Sequence, residues 1–535
     1  MTKAPSAPAR PVNKPPSLVL VFVALVLAML LSALNQTILG TALPTIVGEL
    51  NGANLMLWVI TAFILASTIM MPIYGKLGDL VGRKYLLIAA IIIFLIGSAI
   101  GALSPDMAWL IVARVIQGIG AGGLMILSQA IIADVVPARD RGKYMGWMGG
   151  VFAFSSVVGP LIGGWLTEGP GWRWVFWFNI PVGLLALLGA ILFLRPKSVT
   201  VRPKLDVGGM ALVAVATTGL VLTSSWGGST YAWNDPIILG LIAGTLVASV
   251  LFVMVERRTA EPIIPLELFR DRNFNLATAS GLLTSVAMFG AIGYMPTYLQ
   301  MATGASATQA GMLMIPMMGA LLFTSVLSGT LVSKTGRYKW MPIVGSAIMV
   351  VALALMGTVG AASPVWQLCV YLGILGLGLG LNMQILILVV QNSFPLRQVG
   401  TATAANNFFR QIGATLGSAV VGSLFATRLA AGLPAEAASV TGGGNSLTPG
   451  LVHALPEQLQ TMVVSAYNVA LIPLFLYMVP LGVAATLLCL FIKEKPLATR
   501  LEPDIMPEAV GEGNILITAD SEGNRPATTE LRVNR

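Results

Sequence analysis

The stretch LNQTILGTALPTI, Leu34 to Ile46, sets Asn35, Gln36 and Thr37 side by side inside an apolar run. Two amides and a hydroxyl donate and accept hydrogen bonds, but none of them titrates near neutral pH. The cluster can therefore bind and orient a partner, and it cannot carry a proton. Arg114 in RVIQGIGAGG and Arg410 in NNFFRQIG stand in similarly apolar surroundings, as do Gln117, Asn382, Gln384, Gln391, Asn406, Asn407 and Gln411. Polar groups at bilayer depth face a protein interior or a water-filled path, which makes these residues candidates for the lining of a central cavity. Asn35 and Arg114 differ in depth by about 8 Å at 1.5 Å per residue, a gap that a guanidinium side chain spans. The polar trio is accordingly expected to hydrogen-bond Arg114. The methionines of GMLMIPMMGALLF (311 to 323), with Met288 and Met295, form a second candidate lining, because thioethers repack around ligands of different shape. All 22 acidic residues fall at the ends of apolar runs, in loops or in the tail, and the lone His453 falls in a loop.

The elements that must position these side chains follow from composition. With 56% hydrophobic and only 10% charged residues among 535, the chain is far from the balance of a water-soluble domain. Apolar runs bounded by charge, Gly or Pro predict about fourteen membrane helices, at 17–47, 54–79, 84–103, 107–134, 143–167, 173–194, 206–226, 236–256, 274–301, 307–333, 340–360, 364–392, 398–428 and 461–492. The first run extends for about thirty residues, too long for the 7 to 15-residue core of a signal peptide, and reads as a true first span. Placing the N-terminus inside puts 27 of the 31 Lys and Arg residues on the cytoplasmic side, with Arg173 and Arg428 outside and Arg114 and Arg410 within the membrane. That bias fixes both termini in the cytoplasm. It also accounts for the net charge of +9 through anionic lipid headgroups, with no nucleic acid required. Cys369 and Cys489 lie in different spans and read as small packing residues, without disulfide or metal spacing.

The chain repeats itself. GKLGDLVGRKY (75–85) follows the second run and GTLVSKTGRYKW (329–340) follows the tenth, aligning Gly75 with Gly329, Gly82 with Gly336 and Arg83 with Arg337. Two six-helix halves in the same orientation, 17–195 and 273–492, are expected, with two inserted helices and a linker at 196–272 and tails at 1–16 and 493–535. In the first loop Gly82 permits a turn that side chains resist, and Asp79 at the end of a helix can pair with an arginine such as Arg83 or with a helix N-terminus, making a latch for one conformation. The second copy has Ser333 in place of the acid, which predicts a weaker latch. In GWMGGVFAFSSVVGPLIGGW, Gly146, Gly159, Gly163 and Gly164 let another helix approach closely, and Pro160 removes a backbone donor.

These segments resemble the major facilitator superfamily and, within it, the fourteen-helix drug:proton antiporters of EmrB/QacA type. The opening stretch is similar to that branch's helix 1 motif, the 75–85 loop to the superfamily's signature loop, RVIQGIGAGG (114–123) to the helix 4 motif and 146–165 to the antiporter motif of helix 5. GWRWVFWFNIPVG (171–183) resembles the entry into helix 6, and the resemblance covers 17–492. It implies an all-α polytopic membrane fold with about fourteen transmembrane helices, and export of amphipathic drugs from a bacterial cytoplasm across the inner membrane by alternating access. It also implies that helix 5 forms an interdomain hinge or seal, with Ser155 where the pattern has Gly. In the branch, the position of Asn35 is an Asp that takes up the driving proton. Three accounts of this departure stay open: an engineered replacement, coupling through Asp79, Asp134 or an outer-end carboxylate such as Glu49 or Glu168, or transport without a proton. In the last case Arg114 and Arg410 would suit an anionic or lipid-like substrate, and a lipid or glycolipid exporter of the same fold is the alternative function.

An enzyme is not expected, since no His, Cys or acid cluster inside the spans forms a catalytic constellation and no cofactor fingerprint follows a strand. No metal or cofactor is expected either. A sensor would need a folded output domain, which the short polar tail does not provide. The expected partners are small amphipathic substrates, protons and membrane lipids, and the fold needs no second copy to form a pathway, so a monomer is expected.

Overall fold

The computed structural model describes residues 17–52, 55–196, 205–228, 230–305, 307–360, 363–433, 452 and 455–500. His453 and most of the 434–454 loop lie outside the described residues, as do Arg202 and the tails. Fourteen apolar helical spans are described. The first half holds α1 (Leu18–Glu49), α2 (Met56–Val81), α3 (Arg83–Ala102), α4 (Met107–Val135), α5 (Ala138–Glu168) and α6 (Arg173–Phe193). Two further spans follow, α7 (Val207–Trp226) and α8 (Pro236–Glu256). The second half holds α9 (Arg272–Ala302), α10 (Gln309–Thr335), α11 (Trp340–Met356), α12 (Val365–Gln391), α13 (Val399–Gly432) and α14 (Glu457–Leu490). Thirteen are long and apolar enough to cross a membrane, and α11 is a shorter apolar helix of 17 residues. The expected boundaries and the observed ones agree to within a few residues at most ends, because apolar length is the property that both express.

Three spans are broken where the sequence cannot sustain a straight helix. α9 stops at Ile292 and restarts at Met295 with Pro296 in its first turn, and α10 restarts at Ile315 with Pro316 in its first turn. Proline is tolerated there because the first turn has no intrahelical acceptor for its missing N–H. α6 breaks at Phe178.

The repeat seen in the sequence is a repeat of packing. In the first half α2 and α3 pack on α4, and α1 packs on α5 and α6. In the second half α10 and α11 pack on α12, and α9 packs on α13 and α14. Each half has its own hydrophobic core, one built around Leu25, Phe94 and Leu127, the other around Leu353, Leu372 and Phe475. The halves meet chiefly along two seams, α2 with α13 and α5 with α10, with α12 also touching α5 and α13 touching α4. α7 and α8 pack on each other, and α7 lies against α2 and α13. This is the architecture of two six-helix halves with two inserted helices, and the polytopic all-α class holds.

Alternation of the spans puts Gly82, Gly336, the 257–271 linker and the 491–500 segment at one end of the bundle, here the basic face, and the 227–235 turn at the opposite face. Cys489 is buried against Ser280 and Cys369 is half-buried, and both are free thiols.

Candidate functional site

At the basic face α2 passes into α3 through a single residue, Gly82, at φ 101°, a backbone conformation that costs other residues dearly. This turn presents Asp79 and Arg83 one helical turn apart. Arg83 Nη2 lies 2.6 Å from Asp79 Oδ1 and Nη1 lies 2.8 Å from Asp134 Oδ1, while Nη1 also donates to the Ala130 carbonyl. The second oxygen of Asp79 crosses to the other half, accepting from the Thr401 backbone N at 2.7 Å and the Thr401 hydroxyl at 2.8 Å. Thr401 is in the first turn of α13, where backbone N–H groups lack intrahelical partners and the helix dipole favours an anion. Arg83 follows it across to the Leu396 carbonyl at 3.2 Å. Both partners named for Asp79 on sequence grounds are thus present. Gly75 makes the approach possible, since any side chain there would collide with Ala404 and with the Gly400 carbonyl.

The other seam is joined by a residue that sequence reasoning counted only as a topology signal. Arg139, at the start of α5, donates through Nε to the Ser333 carbonyl and through Nη2 to the Lys334 carbonyl, both at 3.0 Å. These are carbonyls of the last turn of α10, the negative end of a helix dipole. The Ser333 side chain stays on its own helix, bonded to the Gly329 carbonyl. The second loop therefore closes through its backbone, not through the position where an acid was expected. The Arg139 N–H also donates to Ala498, in the segment after α14.

Helix 5's glycines divide between two neighbours. Gly142 lies backbone to backbone against Gly329, and Gly146 lies against the Ser325 backbone, across the seam. Gly159 and Gly163 instead lie against Thr37, Ile38 and Thr41 of α1, within the first half, and Gly164 borders open space, with nothing within 4 Å of the point a Cβ would occupy. The expectation that all four seal the two halves is corrected to Gly146 alone. Thirteen residues turn an α-helix by about 220°, so Gly159 faces away from Gly146, whereas eighteen residues make about five full turns and bring Gly164 back to the side of Gly146. The second half therefore packs backbone to backbone at the level of Gly146, whereas at Gly164 no atom lies within 4 Å of the point a Cβ would occupy. Pro160 is half-buried inside α5, which runs unbroken through it.

The opening trio separates onto three faces of α1. Asn35 is fully buried, Thr37 donates to the Ser155 carbonyl of α5 at 2.9 Å, and Gln36 is exposed, on one side with Gly40 and Pro44. The expected contact between the trio and Arg114 is replaced by a relay. Arg114 Nη1 donates to Gln117 Oε1 at 2.7 Å, and Gln117 Nε2 donates to Ser98 at 2.8 Å and to Asn35 Oδ1 at 3.3 Å. Asn179 Nδ2, from α6, donates to the same Asn35 oxygen at 3.0 Å. Asn35 Nδ2 has no partner. Arg114 is 1% exposed, bonded to the Val59 carbonyl and stacked 4.1 Å from the Phe63 ring centroid, so it is closed to any substrate.

In the second half Asn382 donates to Thr284, Asn406 donates to Thr278, and Gln384 packs against Gly149 of α5. Asn407 bridges the seam to Gln129 Oε1 at 3.0 Å, Gln391 donates to the Gln129 carbonyl, and Arg410 donates to Asn407. Gln411 is half-buried. Asn382, Gln384, Asn406 and Asn407 are buried, so these amides join helices and are not an open lining. Met288, Met295, Met314 and Met317 are likewise buried in the core of the second half, where apolar helix faces meet, and do not face an open cavity.

A family profile described as Major Facilitator Superfamily matches residues 25–418. Over 482 residues the chain is 40% identical to an uncharacterized MFS-type transporter of Mycobacterium tuberculosis, covering 89% of this chain and 70% of that protein. It is 37% identical over 442 residues to the multidrug transporter protein MdtP of Bacillus subtilis, covering 82% and 79%. Multidrug resistance protein 3 of the same organism is 35% identical over 404 residues, covering 76% and 79%. The fold is shared with the human organic anion transporter MFSD10, at a TM-score of 0.58 and 17% identity, covering 89% of this chain and 100% of that one. With helices that pair as two repeated halves and a profile matched across most of its length, this chain belongs to the Major Facilitator Superfamily.

Proposed function

We propose that the protein is a secondary exporter of amphipathic drugs, working by alternating access, with the basic face in the cytoplasm and the cytoplasmic gate closed in this conformation. The observation that carries the reading is the pairing of Asp79 with the first turn of α13, a contact between halves that must break for a substrate to enter from the basic face. Gly164, open where Gly146 is closed, fits a path that widens toward the other side. The names of the bacterial multidrug transporters support this substrate class, and the charge bias supports an orientation with both termini on the cytoplasmic side of an inner membrane.

Proton antiport is the proposed drive, with the coupling acid elsewhere than residue 35. Of the acids that remain, Asp79 and Asp134 pair with Arg83, and Glu49 pairs with Arg173 at 2.6 Å. The seclusion of Arg114 speaks against an anionic substrate held by that residue.

The test is efflux of a lipophilic cationic dye from cells that lack other pumps. Expression should accelerate efflux and an uncoupler should abolish the gain. Dye retention equal to that of the empty vector, at normal membrane expression, contradicts the reading.

A further inference from the structure

The inserted helices have so far only a place in the fold. α7 lies over the seam between α2 and α13, and on α8 only Ile238, Ala248 and Glu256 are buried while Leu246 and Val247 are about 60% exposed. At the basic end the seam beneath α7 is shut by Gly75 against Ala404. Toward the opposite face it opens into a cavity of about 460 Å³ between Thr61 on α2, Ser224 on α7, Tyr294 on α9 and Ser418 on α13. α7 is the wall between this space and the outside of the bundle.

The cavity has a roof that touches both halves. Trp226, at the end of α7, meets Trp58 of α2 edge-on at 5.8 Å. Trp233, in the following turn, donates through Nε1 to the Ser423 hydroxyl of α13 at 2.9 Å. Amphipathic indoles of this kind settle at the level of lipid headgroups.

The chemistry of the walls restricts the occupant. No charged side chain lines the cavity among the described residues. An ion brought into it would lose its water and gain no partner. Polar handles are nonetheless present. The hydroxyls of Thr415 and Ser418 donate to carbonyls of their own helix, which leaves their lone pairs to accept. The Tyr294 hydroxyl sits directly over Gly422, where any side chain would displace it.

We propose that this cavity binds an uncharged glycerolipid-type amphiphile from the bilayer, its hydrocarbon chain in the seam and its hydroxyl or ester head among these hydroxyls, with α7 as the wall past which it enters. The site does not depend on the export reading. The full chain, purified and placed in phosphatidylcholine vesicles, is irradiated with a diazirine-bearing diacylglycerol and, separately, with a diazirine-bearing phosphatidylglycerol, and the labelled peptides are mapped. The uncharged probe should label 218–228 and 411–426 about tenfold more than the anionic one, the discrimination that about 1.4 kcal/mol provides. Filling the cavity from either half, with Ser418→Trp or Thr61→Phe, should remove that labelling, while Leu246→Trp on the outer side of α8 should leave it. Should Ser418→Trp fail to elute as a folded protein, Thr61→Phe decides. Equal labelling by the two probes, or labelling indifferent to the filling variant, overturns the proposal. Labelling by an uncharged photoreactive drug but not by diacylglycerol overturns the lipid assignment. The assay uses no gradient and no efflux, so absent transport would sink the export reading and leave this result standing.

Discussion

Asn35 accepts from two amides on one oxygen and offers an NH₂ that nothing among the described residues receives, and its donor Gln117 is in turn bonded to Arg114, which has no carboxylate partner among the described residues. Those surroundings would suit two acceptor oxygens better than one. Restoring a carboxylate with Asn35→Asp should therefore be accepted without loss of folded protein, and dye efflux should become steeper with an imposed pH gradient, a gain that an uncoupler removes. The parent, coupled through the Arg83 acids or Glu49, already responds to the gradient, and equal gradient dependence in the two proteins would show that an acid at residue 35 adds no coupling. Asp79→Asn weakens bonds to a charged group, worth about 1.5–3 kcal/mol each, and should lower turnover by about tenfold at unchanged expression as the closed gate is lost. Unaltered turnover would reduce the loop to a topology signal. Asp79 was legible in the sequence because an acid at a helix end beside Gly82 needs a cation or a helix N-terminus, and both belong to a short menu. Asn179 was not, since nothing in WFNIPVG states that its amide reaches back 144 residues to α1.

At the scale of elements, the helical period that predicts spans also sorts their glycines, but only once the neighbour is known. Gly146 and Gly164 share a side of α5 and differ in how closely a neighbour approaches that side. Gly146→Val should press on the Ser325 backbone, destabilise the closed basic face by about 1–3 kcal/mol and lower the melting temperature, whereas Gly164→Val should stay within about 0.5 kcal/mol of the parent. Equal losses from the two would deny the widening path. Arg139 illustrates what composition hides: its partners are backbone carbonyls at Ser333 and Lys334, and backbone groups carry no sequence label. Arg139→Ala should raise the rate at which a cysteine at the basic end of α10 is modified from the cytoplasmic side, and an unchanged rate would show that the Gly142–Gly329 contact holds that seam alone.

Across the whole molecule, apolar length, alternation and the repeated loop made the spans and the two halves readable. The seams, the buried amides and the methionine core were not, because a helix's apolar face looks the same whether it meets lipid, its own half or the other half. The proposed orientation rests on charge, and in a background with Cys369 and Cys489 replaced, a single cysteine at Asp106 should react with an impermeant thiol reagent from outside intact cells and one at Arg258 should not. The central claim is that the closed basic face is one of two exchanging states. Spin labels at Val81 and Arg397 report the separation of the halves at that face, and labels at Leu57 and Thr427 report it at the other. Replacing Asp79 by Asn should lengthen the first distance and shorten the second relative to the parent, measured by double electron–electron resonance. Both distances unchanged, or both moving in the same direction, would contradict alternating access about these seams.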